Sequence, residues 1–457
     1  MKRLLASSIA TLALGTLLFA EEKPKPAAAP ETTAAPQFKK LVEALDLKDG
    51  DTLVFLGDSI THQCLYTQYV EDFFYTRYPK MRIHFHNAGV GGDRAKDALT
   101  RFDEDVAPYK PKYVTILLGM NDGGYKDFDK AVFDTYQQDM TTVLEKIAAL
   151  GATAIPMTPT MLDARAKRIS GKTQEPRDTY YNGVLALYGT WLREQAEVRG
   201  LGFVDMWSPL NNLTMEARKK TPNFTMIRDG VHPEAAGQAV MAAAILNDIV
   251  PKTAVSQIII DEKAGKLAAT ATGGKIADFQ AGDGVSFTFT AEHLPWVLPP
   301  EAAEGFKLTH AGHRNSNERI TVRGLKPGKY ALKIDGQQVG AYASNQFAAG
   351  VELEENDKTP QYQQALKVAL LNKERNDVAY HPLRDQYGQL KGKRRDLAKA
   401  EAAKDPELAA KKAEYEQWYT AQKAKVAELL AKAKSFEDQI YQANQPQPRK
   451  YELTLVP

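Results

Sequence analysis

From residue 37 to about Pro251, short apolar runs alternate with longer amphipathic segments. Thr52 to Leu56, Arg82 to Asn87, Tyr113 to Leu118, Thr153 to Met157 and Gly202 to Met206 read as strands. Helical periodicity falls between them, near Tyr66 to Tyr78, Arg94 to Val106, Lys130 to Leu150, Thr179 to Arg199 and Pro233 to Ile249. Strand–helix alternation of this kind predicts a parallel sheet with helices on both faces. Right-handed crossovers then gather the strand C-termini on one edge. Ser59, Asn87 and Asn121 all lie just past predicted strand ends, on the edge where open α/β sheets bind ligands.

After Lys252 the pattern changes. Val255 to Ile260, Lys266 to Thr272, Val285 to Thr290, Arg319 to Val322, Tyr330 to Ile334 and Gln337 to Ala341 are short β-type runs. Turn signals such as Lys326-Pro327-Gly328 and Asp335-Gly336 separate several of them. From about Pro360 to Ala443 the chain turns helical and charged. Tyr415, Tyr419, Gln422, Val426, Leu429, Ala433, Phe436 and Ile440 follow a heptad seam, and Leu383, Tyr387, Leu390, Arg394 and Leu397 repeat the spacing. Asp405-Pro406 reads as an N-cap and first helical position, so a helical hairpin is expected. Its charged positions read as a solvated face, with a protein partner on the helix pair as the alternative. Tyr451 to Val456 alternate again and are expected to return to the β-rich module as an edge strand.

These boundaries imply a signal peptide at 1–20, a linker at 21–36 and an α/β domain at 37–252. A β-rich module follows at 253–350 and 449–457, carrying a helical hairpin inserted at 351–448. Lys2-Arg3 followed by the apolar stretch Leu4 to Phe19 and Ala20 is the pattern of a secretory leader, so export to the periplasm or medium is expected. Stable membrane insertion is not expected after its removal, because that stretch is short for a span. With 457 residues the chain is long enough for two or three domains, and a net charge of +2 gives no argument for nucleic acid. Cys64 is the one cysteine, so no internal disulfide forms and stability must come from burial.

The chemistry concentrates in four blocks. Phe55-Leu56-Gly57-Asp58-Ser59-Ile60-Thr61 runs from a strand into a tight turn bearing a serine, which needs a general base and oxyanion donors to act as a nucleophile. Asp229-Gly230-Val231-His232-Pro233 could give the base and a carboxylate to orient it. Asn87-Ala88-Gly89-Val90-Gly91-Gly92-Asp93 and Gly119-Met120-Asn121-Asp122 could give the donors. In this order, the four blocks resemble those of the SGNH (GDSL) hydrolases over residues 50 to 250. The resemblance implies a flavodoxin-like three-layer α/β/α domain, with Ser59 as nucleophile and His232 as base beside Asp229. It also implies an oxyanion hole of the Ser59 and Gly92 backbone N–H groups and the Asn121 side-chain amide. Gly89 and Gly91 are read as turn-forming. Asp58 and Asn87 are read as braces, while His62, Asp93 and Asp122 are candidates to touch substrate.

Cys64 reads as a packed small residue, His84 and His86 as packed strand residues. His310 and His313 show no acidic partner set in sequence. No phosphate loop, dinucleotide fingerprint or zinc spacing occurs, and no cofactor or metal is expected. The function expected is an exported serine esterase acting through an acyl-enzyme, with acetylated polysaccharide as the leading substrate. The alternatives are a lysophospholipase or short-chain lipid esterase, acyl transfer to a sugar, and a non-catalytic carbohydrate-binding or scaffold protein.

Overall fold

Thr52–Gly57 (β1), His84–Gly89 (β2), Tyr113–Leu117 (β3) and Thr153–Pro156 (β4) form a parallel sheet in the order β2-β1-β3-β4 in the computed structural model. The structure describes residues 37–169, 177–263, 265–282 and 284–456; the expected leader and linker lie outside them. Val54, Phe55 and Leu56 are fully buried, as a strand covered on both faces requires. Helices Leu65–Arg77, Ala95–Asp105, Lys130–Ala149, Arg177–Arg199 and Ala235–Ile249 supply the cover. A further helix, Trp207–Arg218, was not anticipated. Gly202 to Met206, expected as a fifth strand, makes only a parallel bridge from Val204 to Met157 and one from Gly202 to Val42. It occupies the strand position without extending the ladder.

The second half contains two antiparallel-rich sheets. One orders Gln337–Ala343 (β11), Lys329–Ile334 (β10), Pro448–Leu455 (β13), Gly284–Ala291 (β8) and Gly274–Ala281 (β7). The other orders Val351–Glu352 (β12), Glu318–Val322 (β9), Ser256–Lys263 (β5) and Lys266–Thr272 (β6). Ile258, Ile260, Ile320 and Val322 from one and Phe287, Phe289, Leu332 and Leu453 from the other share one buried cluster, so the sheets pack as a sandwich. The C-terminal strand β13 is interior, paired to β8 and β10, and not the edge strand expected. Alternation reveals a strand's two faces and says nothing of how many neighbours it has.

Between β12 and β13 stands the helical insertion. Pro360–Arg375, a π-helical segment Asn376–Tyr380 and His381–Ala402 follow one another without a break and form its first arm; Leu408–Ala443 is the second. Pro382 lacks an N–H and its ring crowds the preceding turn, which accounts for the π segment just before it. Asp405 accepts from the Glu407 N–H at 2.8 Å, but the second arm begins at Leu408, two residues later than Pro406 suggested. Leu383, Tyr387, Leu390, Leu429 and Ala433 bury against one another and against Cys64 and Val90 of the α/β domain, so the heptad seams are covered within the chain. Among the described residues no helix is long and apolar enough to cross a membrane.

The first arm covers the sheet's exposed edge. Strand β2 is outermost and presents alternate carbonyls outward. Tyr380 Oη donates to Phe85 O at 2.6 Å, Arg384 Nη1 to Asn87 O, and Arg384 Nε to Gly89 O at 3.0 Å. Every second residue of the edge is thus satisfied by one helix.

Candidate active site

Ser59 opens a single helical turn, Ser59–His62, directly after β1. Asp58 caps that turn, its Oδ1 accepting from Ile60 N–H at 2.9 Å. A Cβ at Gly89 would overlap the His62 backbone, so only glycine lets β2 lie this close to the turn that carries Ser59. Asn87 Nδ2 donates to Thr61 O at 2.7 Å and its Oδ1 accepts from Gly89 N–H at 2.9 Å, which ties the first two blocks together.

The histidine loop reaches the same edge. Ser59 Oγ lies 2.8 Å from His232 Nε2, and His232 Nδ1 lies 2.7 Å from Asp229 Oδ2. Asp229 Oδ1 accepts from the backbone N–H groups of Val231 and His232 at 2.9 and 2.8 Å. Burial works to raise the Asp229 pKa, but these hydrogen bonds and the His232 ring outweigh it and hold the carboxyl below its usual range. A carboxylate on Nδ1 fixes the tautomer with Nδ1 protonated, leaving Nε2 free to take the serine proton. His232 and Asp229 are each about one-third exposed, so the relay opens to solvent.

Two residues the sequence did not single out hold the two loops in register. Gln238 is fully buried; its Nε2 donates to Gln63 Oε1 at 2.9 Å and Pro233 O at 3.2 Å, while its Oε1 accepts from Tyr66 N–H. Asp163 pairs with Arg218 at 2.7 Å and accepts from Thr225 at 2.6 Å, anchoring the approach to His232. Neither lies in a recognisable block, and only the apolar context of Gln238 hinted at it.

On the other side, Val90 O accepts from Asp93 N–H at 3.2 Å across a tight turn whose third residue, Gly92, has φ +68°. Gly92, and not Gly91, carries the left-handed conformation that glycine permits. Asn121 Nδ2 donates to Asp93 O at 3.0 Å and faces Asp58 Oδ2 at 3.4 Å, and Tyr125 Oη donates to Asn121 Oδ1 at 3.0 Å. These partners set which way the amide points.

The three residues expected to touch substrate are otherwise engaged. Asp93 is fully buried between Arg101 Nε and Lys391 Nζ, each at 2.8 Å. Asp122 is buried and accepts from Ala95 N–H at 2.9 Å at the start of a helix. His62 accepts from Gly91 N–H at Nδ1 and faces Asp385 with Nε2, both at 3.3 Å, so neither ring nitrogen is left for a ligand. Ion pairing and capping consume the polar groups that the sequence left unassigned.

Cys64 is buried, sits at the joint before helix Leu65–Arg77 with φ +59°, and burial pushes its thiol far up, which removes thiolate character. His84 meets Glu437 at 3.1 Å, while His86 stacks on Tyr109 and meets Asp105 at 3.0 Å; the two do not share a ligand. His313 does have acidic neighbours, contrary to the sequence reading: Glu352 at 3.0 Å, with Glu354 close by. There Glu352 takes the His313 ring, and Glu354 takes the Glu318 N–H at 3.2 Å. His62, His381 and Asp385 also lie within ligand range of one another. A Gly91 N–H on His62 Nδ1 puts the ring proton on Nε2, which suits a hydrogen bond to Asp385 and not a metal bond.

Residues 55–240 match the model of the GDSL-like Lipase/Acylhydrolase family. The chain is 28% identical to the acetylxylan esterase of Geobacillus stearothermophilus over 228 residues, 45% of this chain and 96% of that protein. A solved structure described as a gut microbial diltiazem-metabolizing enzyme is similar over 91% of this chain and the whole of its own, with 25% identity and a TM-score of 0.78. The likeness therefore extends beyond the α/β domain into the sandwich and helical insertion. Four blocks in family order, a parallel sheet that brings them to one edge, and these matches lead to one conclusion: residues 55–240 form a GDSL-like lipase/acylhydrolase domain of the SGNH type, and the protein is a carboxylic ester hydrolase.

Proposed function

We propose that the protein is an exported esterase that removes acetyl groups from a carbohydrate, with Ser59, His232 and Asp229 as its catalytic relay. The observation that carries this reading is the continuous hydrogen-bonded path from Ser59 Oγ through His232 to Asp229. Ser59 Oγ attacks the acyl carbonyl while His232 Nε2 takes its proton, and Asp229 stabilises the imidazolium that forms. The carbonyl oxygen becomes an oxyanion facing the N–H groups of Ser59 and Gly92 and the Asn121 amide, whose Nδ2 exchanges its longer contact, 3.4 Å to Asp58 Oδ2, for the oxyanion. Collapse expels the alcohol, which leaves with the proton from His232. Water, deprotonated by the same nitrogen, then attacks the acyl-enzyme and frees the acid.

The carbohydrate assignment draws support from the acetylxylan esterase relative, and export from the apolar N-terminal stretch. A small-molecule substrate is the second reading, because the neighbour sharing nearly the whole architecture is named for metabolizing diltiazem. Acetate release from acetylated xylan, compared with p-nitrophenyl acetate turnover, separates them. Ser59→Ala must abolish both; release from the polysaccharide no better than from the small ester would favour the second reading.

A further inference from the structure

The geometry points to the helical insertion as the element that orients the oxyanion loop, with Lys391 and Asp385 as positioning residues. This rests on the reading of Gly92 as an oxyanion donor. Gly91 C=O and Gly92 N–H belong to one peptide plane and point in opposite directions. Whatever holds the carbonyl therefore aims the N–H. Val90 to Asp93 form a turn closed by a backbone hydrogen bond, with Gly92 at φ +68°, the pattern of a type II turn. Type I and type II differ by a flip of that central peptide, and two glycines offer little steric resistance to it.

The turn leaves the end of β2, the outer strand, so β1 supports it on one side only. The first helical arm supplies the other side. Lys391 Nζ lies 3.4 Å from Gly91 O and 2.8 Å from Asp93 Oδ1, and a Cβ on Gly92 would stand 4.0 Å from the same ammonium. Gly91 N–H donates to His62 Nδ1, and the protonated Nε2 of that ring faces Asp385 Oδ1. His381 packs edge-on against His62 with ring centroids 5.3 Å apart. Arg384 Nε fixes Gly89 O one step upstream. A helix some three hundred residues away in sequence thus holds the Gly91 carbonyl directly and its N–H through the His62 ring.

Steady-state p-nitrophenyl acetate hydrolysis by the full chain tests this. Lys391→Met is expected to lower kcat about ten- to hundred-fold, since a misaimed donor is lost only in the transition state, with KM changed less than about twofold. Lys391→Arg should return most of kcat. Asp385→Ala should lower kcat in the same direction and Asp385→Asn, which keeps an acceptor for His62, should rescue it. Arg395→Met, on the same helix and not touching the loop, should match wild type. If Lys391→Met melts below the assay temperature, the Asp385 pair carries the comparison. Wild-type kcat in both Lys391→Met and Asp385→Ala, alongside an inactive Ser59→Ala, overturns the positioning role alone; so does a loss confined to KM. Full activity in Ser59→Ala would overturn the underlying site reading instead.

Discussion

Arg384 and Asp105 stand 279 residues apart in the chain and meet as an ion pair with no solvent exposure on either side chain. Asp105 also takes Arg101 Nη1 at 2.6 Å. Burial alone would raise its pKa, yet Arg384, the His86 ring and Arg101 together hold the carboxyl well below the usual carboxylate range. Burial pushes His86 down to about 4 in spite of Asp105, so that contact is a hydrogen bond from a neutral ring and not an ion pair. The pair joins the helical arm to the α/β domain behind the active-site edge.

Arg384→Met removes one partner of a fully buried pair and strips donors from Asn87 O and Gly89 O. Breaking such pairs costs about 3–5 kcal/mol, because the remaining charge is left desolvated. Urea denaturation should show a loss in that range. A loss under about 1 kcal/mol would mean that Arg101 alone satisfies Asp105.

Asp229→Asn is expected to spare the fold and disable the chemistry. The amide can still accept from the backbone N–H groups of Val231 and His232, but it no longer stabilises an imidazolium or enforces the tautomer. In triads of this kind the loss in kcat is about 10⁴-fold. Asn121→Ala should cost about 10²–10³-fold in kcat, as removal of one oxyanion donor does. Melting temperatures within a few degrees of wild type, beside these kinetic losses, would separate the chemical role from a structural one.

Asp58 and Asp122 give the site a pH-dependent stability. Burial pushes both up to about 7 from 3.8; for Asp58 the Ile60 N–H works against this, and the Asp122 and Asp93 carboxylates add to it. A carboxyl raised in the folded state favours folding fully below its unfolded pKa. That contribution is lost as pH climbs from about 4 to about 7. Asp122→Asn keeps the acceptor for Ala95 N–H and cannot ionise. The melting temperature of the variant should therefore gain on wild type between about pH 4 and about pH 7, then run parallel. A constant difference across that window would show that Asp122 is not raised.

The Ser59–His232–Asp229 constellation is legible because its signals are local. A strand followed by Gly-Asp-Ser, and an Asp three residues before a His, need only the sheet edge to bring them together. The parallel sheet, with its strand C-termini on one edge, follows from strand–helix alternation and crossover handedness, whereas the order β2-β1-β3-β4 does not. What sequence hides is long-range polar pairing: Lys391 with Asp93, Asp385 with His62, Gln238 with Gln63. Each is an ordinary charged or polar residue on a helix or turn, and its meaning lies in a partner far along the chain. The heptad seams were readable as seams, yet their period is the same whether the partner is a second arm, as here, or another molecule. β7 escaped notice because most of its residues are exposed, none is buried, and they carry little apolar contrast.

Cys64 offers a reporter on the docking of the helical arm. Its sulfur is buried against Val90, Ala379, Tyr380 and Leu383, donates toward His62 O at 3.2 Å, and is the chain's one thiol. Burial raises its pKa and excludes reagent, so modification requires the arm to lift or the protein to unfold. Reaction with a chromogenic disulfide should be negligible in the native protein and complete in urea. Arg384→Met should speed native-state modification more than it speeds global unfolding if the arm opens as a unit. Equal acceleration of both would show that arm and α/β domain unfold together, so that detachment alone does not expose the site.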